Sequence, residues 1–350
     1  MTDSLRILHC LSTHELAGTE RHVAELSAAQ TDRHDVTLLL DNNTTDPCTG
    51  SDIITLLSPK VKVVRAGRKG FLFRLAQLAH SGAFDVIHTH LGRASARATW
   101  LRKAGLAGNV ALVATLHTSY RNQCYGGHDG LICIAGWQQK TLPSDRRDRS
   151  ALIANWTVPS GLSPDERAVQ RRKVREEWGV APGTFLFGSA GRMVPEKRFD
   201  LLLDAWQKAG FGSDVALAMV GDGTERAGLE RLAAGDSRIF FPGFRTDMPA
   251  VLSALDGFVL PSRHEPFGLV LLEAMDAGLP VCATDAGGVP DILKNSPSSM
   301  VRPDCLPSLT EGLRHLHEQS RCVWDLTAFS LSAMLPKVEA FYRQCLRSRS

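Results

Sequence analysis

Two glutamates eight positions apart, Glu265 and Glu273, bracket a turn in the segment Leu260-Pro-Ser-Arg-His-Glu-Pro-Phe-Gly-Leu-Val-Leu-Leu-Glu-Ala-Met275. The segment closes an apolar strand, passes Pro266 and Gly268, and opens a helix. A helix start exposes unpaired N–H groups and the positive end of the dipole, which together suit a phosphate. Gly268 lets a ligand approach the backbone closely. A diphosphate seated there would have one carboxylate on each side, one for sugar hydroxyls and one for ribose hydroxyls. Upstream, Gly188-Ser-Ala-Gly-Arg-Met-Val-Pro-Glu-Lys-Arg198 is a second strand-to-loop-to-helix transition, carrying the cations Arg192 and Lys197. A nucleoside diphosphate leaving group gains negative charge as its glycosidic bond breaks, and fixed cations stabilise that charge without a metal. The sequence has no Asp-x-Asp to hold a diphosphate through a metal ion. Taken singly, each pair reads as a capped helix or surface charge; taken together they describe a donor site.

The elements that must position these groups follow two rhythms. In the first half, strands expected at Arg6–Leu11, Asp35–Leu40, Val61–Val64, Asp85–Thr89, Ala111–Leu116, Leu131–Ala135 and Ala151–Ala154 alternate with helices at Thr19–Ala29, Leu72–His80 and Arg93–Lys103. Apolar strands alternating with helices predict a parallel sheet covered on both faces. Pro159, Gly161 and Pro164, followed by a charged helix Asp165–Trp178, interrupt the pattern. A second series then runs through strands at Phe185–Ser189, Val215–Val220, Arg238–Phe241, Gly257–Leu260 and Pro280–Thr284, with helices at Phe199–Lys208, Glu225–Ala234, Met248–Leu255 and Gly268–Ala277. The expected architecture is α/β, two Rossmann-like doubly wound domains, residues 1–158 and 159–332, facing a cleft where strand carboxyl ends converge. A last amphipathic helix is expected within Phe329–Arg347.

Composition agrees with two domains rather than one: 350 residues, 43% hydrophobic and 22% charged. Met1–Gln30 lacks a charged start followed by an apolar core, and no apolar run approaches the roughly 18 residues of a spanning helix. The expectation is a cytoplasmic protein, with peripheral attachment at the inner face of the cytoplasmic membrane as a further possibility. Residues 1–180 hold 23 Lys and Arg against 17 Asp and Glu, a net +6, while residues 181–350 hold 17 against 20, a net −3. A basic first half suits an anionic membrane surface or phosphorylated acceptor, or is an ordinary solvated surface. No basic run is interleaved with aromatics, so nucleic acid is not the expected partner. Eight cysteines without a Cys-x-x-Cys pair, several within strands (Cys10, Cys133, Cys282), read as reduced core thiols.

These segments resemble the glycosyltransferase group 1 family, the retaining GT-B glycosyltransferase family 4. Glu265 and Glu273 match its Glu-x7-Glu pair, and Arg192 and Lys197 its Gly-Arg-x4-Lys segment. Val220-Gly-Asp-Gly-Thr224 resembles its glycine-rich loop, Gly243-Phe-Arg245 its base-proximal segment, and Gly287-Gly-Val-Pro-Asp291 its Gly-Gly-x-Pro-Glu turn. In the first half Ala17-Gly-Thr-Glu-Arg-His-Val23, Asp85-Val-Ile-His-Thr-His90 and Thr115-Leu-His117 resemble its helix-opening loop and His-bearing strand ends. The resemblance implies that Arg192 and Lys197 hold the diphosphate, Glu273 bonds the ribose, and Glu265 contacts the donor sugar near the reacting carbon. It places Gly221, Phe244, Arg245, Phe267, Gly268 and Leu269 around the nucleotide. Gly18 would bring N–H groups to the phosphates and His117 would sit beside the sugar. The last helix, about 333–350, would return to the first domain. The donor would be a nucleoside-diphosphate sugar, UDP favoured over GDP, with no further cofactor and no metal. Front-face attack through an oxocarbenium-like state would keep the anomeric configuration. The expected acceptor is a glycan or lipid-linked sugar of surface-polysaccharide or lipopolysaccharide synthesis.

The sequence also departs from the family pattern. Ala17 replaces a glycine, Arg198 stands where glycine is frequent, Asp291 replaces Glu, Gly136 replaces a frequent Ser, and Asn155-Trp-Thr-Val replaces Asn-Gly-x-Asp. Other readings are a transferase acting on a small soluble metabolite, a nucleotide-sugar epimerase of the same fold, or a binding protein with a dead site. A three-histidine metal site at His88, His90 and His117 lacks a supporting carboxylate, and His90 reads better as structural. A Rossmann dehydrogenase would need Gly-x-Gly-x-x-Gly after the first strand, which is missing.

Overall fold

The computed structural model describes residues 4–14, 17–46, 50–296 and 299–349. The chain forms two compact units. The first runs to Trp156 and resumes at Phe329; the second is Thr157–Ala328.

The first unit carries β1 (Arg6–Leu11), β2 (Asp35–Asp41), β3 (Lys62–Ala66), β4 (Val86–His90), β5 (Ala111–Leu116), β6 (Gly130–Cys133) and β7 (Ser150–Leu152). They pair in parallel in the order β3-β2-β1-β4-β5-β6-β7. Ile7, Leu8, Cys10 and Leu11 are all buried, because helices cover both faces of the sheet. On one face Leu8, Cys10 and Leu39 pack with Phe71, Leu75, Ala94 and Ala98 of the helices Phe71–His80 and Leu91–Lys103. On the other, Ile7, Val86, Ala111, Val113 and Ile132 meet the C-terminal helix Leu331–Arg347 through Met334, Val338, Phe341, Tyr342 and Cys345. That helix therefore belongs to the first unit. Each of those five side chains is at most 4% exposed, and a fully buried large apolar side chain contributes about 1.5–3 kcal/mol. Gly130 makes the approach possible, since a Cβ there would lie 2.4 Å from Cys345 Sγ. Ser330 caps the helix by accepting from the Ala333 N–H, and Arg349 pairs with Asp129 at 2.8 Å.

The second unit carries β8 (Phe185–Ala190), β9 (Val215–Val220), β10 (Ile239–Gly243), β11 (Gly257–Leu260), β12 (Val281–Thr284) and β13 (Met300–Val301), parallel in the order β10-β9-β8-β11-β12-β13. In each sheet the order reverses beside the first strand, between β1 and β4 and between β8 and β11. Open α/β sheets bind ligands outside the strand carboxyl ends at such a switch point.

Boundaries differ from expectation by a residue or two at most strands. The helix expected at Glu225–Ala234 is shorter, Arg226–Leu232. Beyond the expected set lie four short helices, Asn122–Tyr125, Gly136–Thr141, Ser144–Arg147 and Val289–Leu293, together with the longer helix Leu306–His317 and β13. The longer helix had a legible pattern: Leu306, Leu309, Leu313 and Leu316 fall on one stripe, three of them buried. The two-residue β13 has none. Cys10, Cys124, Cys133, Cys282 and Cys345 are free and buried, Cys322 is exposed, and Cys48 lies outside the described residues. Burial lifts the thiols of Cys133 and Cys282 to about 12, which keeps them unreactive.

Candidate functional site

The second unit gathers the expected donor residues at its switch point. Arg192 follows β8, and Lys197 ends the short 3-10 turn Pro195–Lys197. Glu265 lies in the loop after β11, only 6% exposed. The Lys197 ammonium donates to Glu265 Oε2 at 2.6 Å, and the buried Ser262 hydroxyl donates to the same oxygen at 3.2 Å. The 3-10 turn and the β11 loop are also tied by the Arg263 N–H donating to the Glu196 carbonyl at 2.9 Å.

Glycines hold this arrangement together. Gly287, at φ +60°, would place a Cβ 1.8 Å from the Glu265 carbonyl oxygen, and the Gly288 N–H donates to that oxygen at 2.9 Å. The Gly-Gly pair is thus the cradle for the Glu265 backbone. Gly221, at φ +132°, would place a Cβ 2.0 Å from the Gly191 carbonyl. The Met193 N–H donates to the Asp222 carbonyl at 2.8 Å. The glycine-rich loop is therefore packed backbone to backbone against the segment carrying Arg192. Gly268 caps the helix Leu269–Asp276 at φ +107°, a conformation that favours glycine. Leu269 is that helix's first residue, and Glu273, half-buried, stands one turn further in.

Other expected residues have visible partners. Phe267 is 2% exposed, its Cα against Gly288, so its ring is core. Phe244 is 52% exposed at the end of β10. The Arg245 guanidinium is paired with Glu177 and Asp247, which hold its pKa above the usual value. Arg198, the non-glycine variant in the Lys197 segment, adopts φ +52°. A left-handed residue with a Cβ costs roughly 1–2 kcal/mol, and ion pairs from Arg198 to Asp200 and Asp304 offset it.

In the first unit, Gly18 opens the helix Gly18–Gln30, and Glu20 caps it by accepting from the Ala17 N–H at 2.9 Å. The neighbouring Glu15 and Leu16 lie outside the described residues. His117 follows β5 and is 7% exposed. Its ring sits in a cluster with His9 on β1, His22 on the first helix, and His88 and His90 on β4. Burial holds all five neutral, His9 at about 4 and His117 at about 3. Trp156, in the segment that departs from the family pattern, stacks on His22 at 4.1 Å and donates to Glu25 at 2.7 Å. The structure therefore uses the extra indole to close the cluster.

Three ring nitrogens come within 4.8 Å of one another in His9, His88 and His90, and again in His22, His90 and His117. Neither is the set His88, His90 and His117. Most of these nitrogens already serve hydrogen bonds: His9 to His90 and Gln30, His88 to Tyr342 and Thr115, His90 to His117. Sequence reasoning missed Ser262, whose proximity to Glu265 was a fair clue. It also missed Gln30, Trp156 and Tyr342, whose roles come from contacts spanning up to 312 positions.

Two parallel sheets with reversed strand order, one bearing the ion-paired Lys197–Glu265 loops and the other a buried histidine cluster, define the class as a GT-B-type α/β protein. Residues 16–156 match the family model for Glycosyltransferase Family 4, and residues 184–319 match that for Glycosyl transferases group 1. The chain belongs to this glycosyltransferase family, whose members are enzymes that transfer glycosyl groups. It is similar to the 2-deoxystreptamine glucosyltransferase of Streptomyces kanamyceticus, 32% identical over 45% of this chain and 44% of the relative. It is similar also to the GDP-mannose-dependent alpha-(1-6)-phosphatidylinositol dimannoside mannosyltransferase of Mycobacterium tuberculosis, 28% identical over 64% and 53%. The chain spans about half the length of these curated relatives. Among solved structures, Anabaena Alr3699/HepE in complex with UDP and glucose superposes with a TM-score of 0.75, at 21% identity, over 98% of this chain and 99% of that one.

Proposed function

We propose that the protein transfers a sugar from a nucleoside-diphosphate donor to a hydroxyl of a glycan or lipid-linked acceptor, without a metal ion and with retention of configuration. The observation that carries this reading is the Lys197–Glu265 pair at the second unit's switch point, with Arg192 on the adjoining braced loop. Arg192 and Lys197 supply fixed positive charge for the departing diphosphate. Glu265 places a buried carboxylate next to Lys197, suited to a sugar hydroxyl and to the positive charge growing at the reacting carbon. Glu273, on the helix that Gly268 opens, suits the ribose hydroxyls. HepE was solved with UDP and the mycobacterial relative is named for GDP-mannose, and both nucleotides belong in the test.

Calorimetric titration of UDP, GDP, ADP and their sugar conjugates in excess chelator is expected to show selective binding of one nucleotide. Arg192→Ala and Glu273→Ala each weaken that binding about tenfold or more, the loss of one charged hydrogen bond. Binding that requires an added divalent ion would refute the metal-free reading, and unaltered affinity in both variants would refute the site.

The named relatives have acceptors of two kinds, an aminocyclitol and a phosphatidylinositol mannoside. The exposed face of the first unit favours the lipid-linked kind. Phe73 and Trp100 stand 76% and 52% exposed on the outer sides of two helices, with exposed Arg68, Lys69, Arg93 and Lys103 on the same helices and the turn before them. No helix among the described residues is long and apolar enough to cross a membrane; the attachment proposed is peripheral, through this exposed face. Sedimentation with anionic vesicles is expected to capture the protein at low salt and release it at high salt. Failure to sediment at any salt would favour the soluble acceptor.

A further inference from the structure

A single hydrogen-bonded chain runs through the core of the first unit and ends at His117. His117 Nε2 meets His90 Nδ1 at 3.2 Å, His90 Nε2 meets His9 Nδ1 at 3.0 Å, and His9 Nε2 meets Gln30 Oε1 at 2.7 Å. From Gln30 it continues: the amide Nε2 donates to the Tyr342 hydroxyl at 3.3 Å, that hydroxyl meets His88 Nδ1 at 2.6 Å, and His88 Nε2 meets Thr115 Oγ1 at 2.8 Å. The links come from β1, β4, β5, the first helix and the C-terminal helix. All are 0–1% exposed except His117, at 7%.

A neutral imidazole has one donor nitrogen and one acceptor nitrogen, so each link fixes the polarity of the next. The Gln30 carbonyl oxygen can only accept. His9 must then carry its proton on Nε2 and accept at Nδ1. His90 must donate from Nε2 and accept at Nδ1, and His117 must donate from Nε2. What remains at the exposed end is His117 Nδ1, an unprotonated acceptor with no partner among the described residues. The other arm is consistent: Tyr342 accepts from Gln30 and donates to His88, and His88 donates to Thr115. Turning the Gln30 amide over would reverse every link and make His117 Nδ1 a donor.

We infer that Gln30, held by Tyr342 of the C-terminal helix, sets the tautomer of His117 across two intervening imidazoles, so that His117 Nδ1 offers a bare lone pair to a substrate hydroxyl at the carboxyl end of the first unit's sheet. Gln30, His9, His90 and Tyr342 are positioning residues. The inference rests on the proposed function, in which a sugar hydroxyl has to be recognised. It also argues against a metal at His22, His90 and His117. On this assignment His90 has no free lone pair, because Nδ1 accepts from His117 and Nε2 carries the proton given to His9.

The test is nitrogen-15 NMR of histidine-labelled full-length protein at pH 7.5, alongside transfer kinetics. The wild type is expected to show His117 protonated at Nε2 and bare at Nδ1. Gln30→Leu removes the acceptor, and Tyr342→Phe releases the amide while keeping the aromatic packing. Each should give a mixed or inverted His117 tautomer and lower kcat/KM for transfer about tenfold, one hydrogen bond's worth, with affinity for the free nucleotide unchanged. Gln30→Glu, which keeps the acceptor, should retain the tautomer. Three results would overturn the proposal: a wild-type His117 protonated at Nδ1, a tautomer indifferent to both variants, or stoichiometric zinc uptake that shifts His22, His90 and His117 together. If the tautomer responds as expected but transfer does not, the relay's role in substrate recognition is overturned. Full activity in His117→Ala would instead remove the site reading and leave the tautomer result standing.

Discussion

Glu265→Ala is expected to lower kcat by about 10²–10³-fold, the loss seen when one preorganised electrostatic group is taken from a reacting centre. The carboxylate is 6% exposed, fixed from one side by Lys197 at 2.6 Å and Ser262 at 3.2 Å, and its backbone is clasped by Gly287 and Gly288. Little reorganisation is then left for the moment when charge develops at the sugar. Glu265→Gln keeps the shape and removes the charge, and should fall between Glu265→Ala and the wild type. Lys197→Ala should weaken nucleotide binding as well as turnover, because its ammonium serves the phosphate side. The two residues act as a pair, so the double variant should lose less than the product of the two single losses. Thermal unfolding of each variant separates loss of function from loss of fold. A folded Glu265→Ala protein within threefold of wild-type turnover would sink the assignment.

The two strand-to-loop-to-helix transitions expected to hold the donor were readable because their pattern is local. Strand, turn and helix each declare themselves within a few positions, so Arg192, Lys197, Glu265 and Glu273 could be placed before any coordinates. Parallel strands buried on both faces give continuous apolar runs, which is why thirteen strands were anticipated but for the two-residue β13. The glycines were legible as a pattern and not as a mechanism. The resemblance sets Gly221 beside the nucleotide and Gly287 in a Gly-Gly turn; the structure shows each making room for the backbone next to a charged residue. Arg245 shows the converse, a cation that the family resemblance sets beside the nucleotide and the fold ties to Glu177 and Asp247. Least legible was the histidine relay. His88 and His90 alternate along a strand, which hints at one face. Nothing near Gln30 or Tyr342 announces that they meet from opposite ends of the chain.

Acidification from pH 7.5 to 5.5 is expected to unfold the first unit. Seven imidazoles there are buried; His34 faces Glu339, and burial lowers the pKa values of the other six, His9, His22, His88, His90, His117 and His128. His9 and His128 fall to about 4 and His117 to about 3, against about 6.5 in an unfolded chain. The sign follows directly. Above 6.5 neither state binds the proton and the fold loses nothing. Below 6.5 the unfolded chain takes protons that the folded one refuses, so stability falls with pH until the folded values are reached near 4–3. One such group costs about 1.4 kcal/mol at pH 5.5, and six together on the order of 8 kcal/mol, comparable with the whole stability of an ordinary domain, about 5–15 kcal/mol. Trp156, stacked on His22, supplies a fluorescence probe within the unit. Calorimetry in buffers of different ionisation enthalpy should report uptake of about five protons on unfolding at pH 5.5. His128→Gln, which leaves the relay to His117 intact, should reduce that uptake by about one. A transition unmoved between pH 7.5 and 5.0 would mean that the imidazoles titrate within the fold, and a cluster open to protons could not hold His117 in one tautomer.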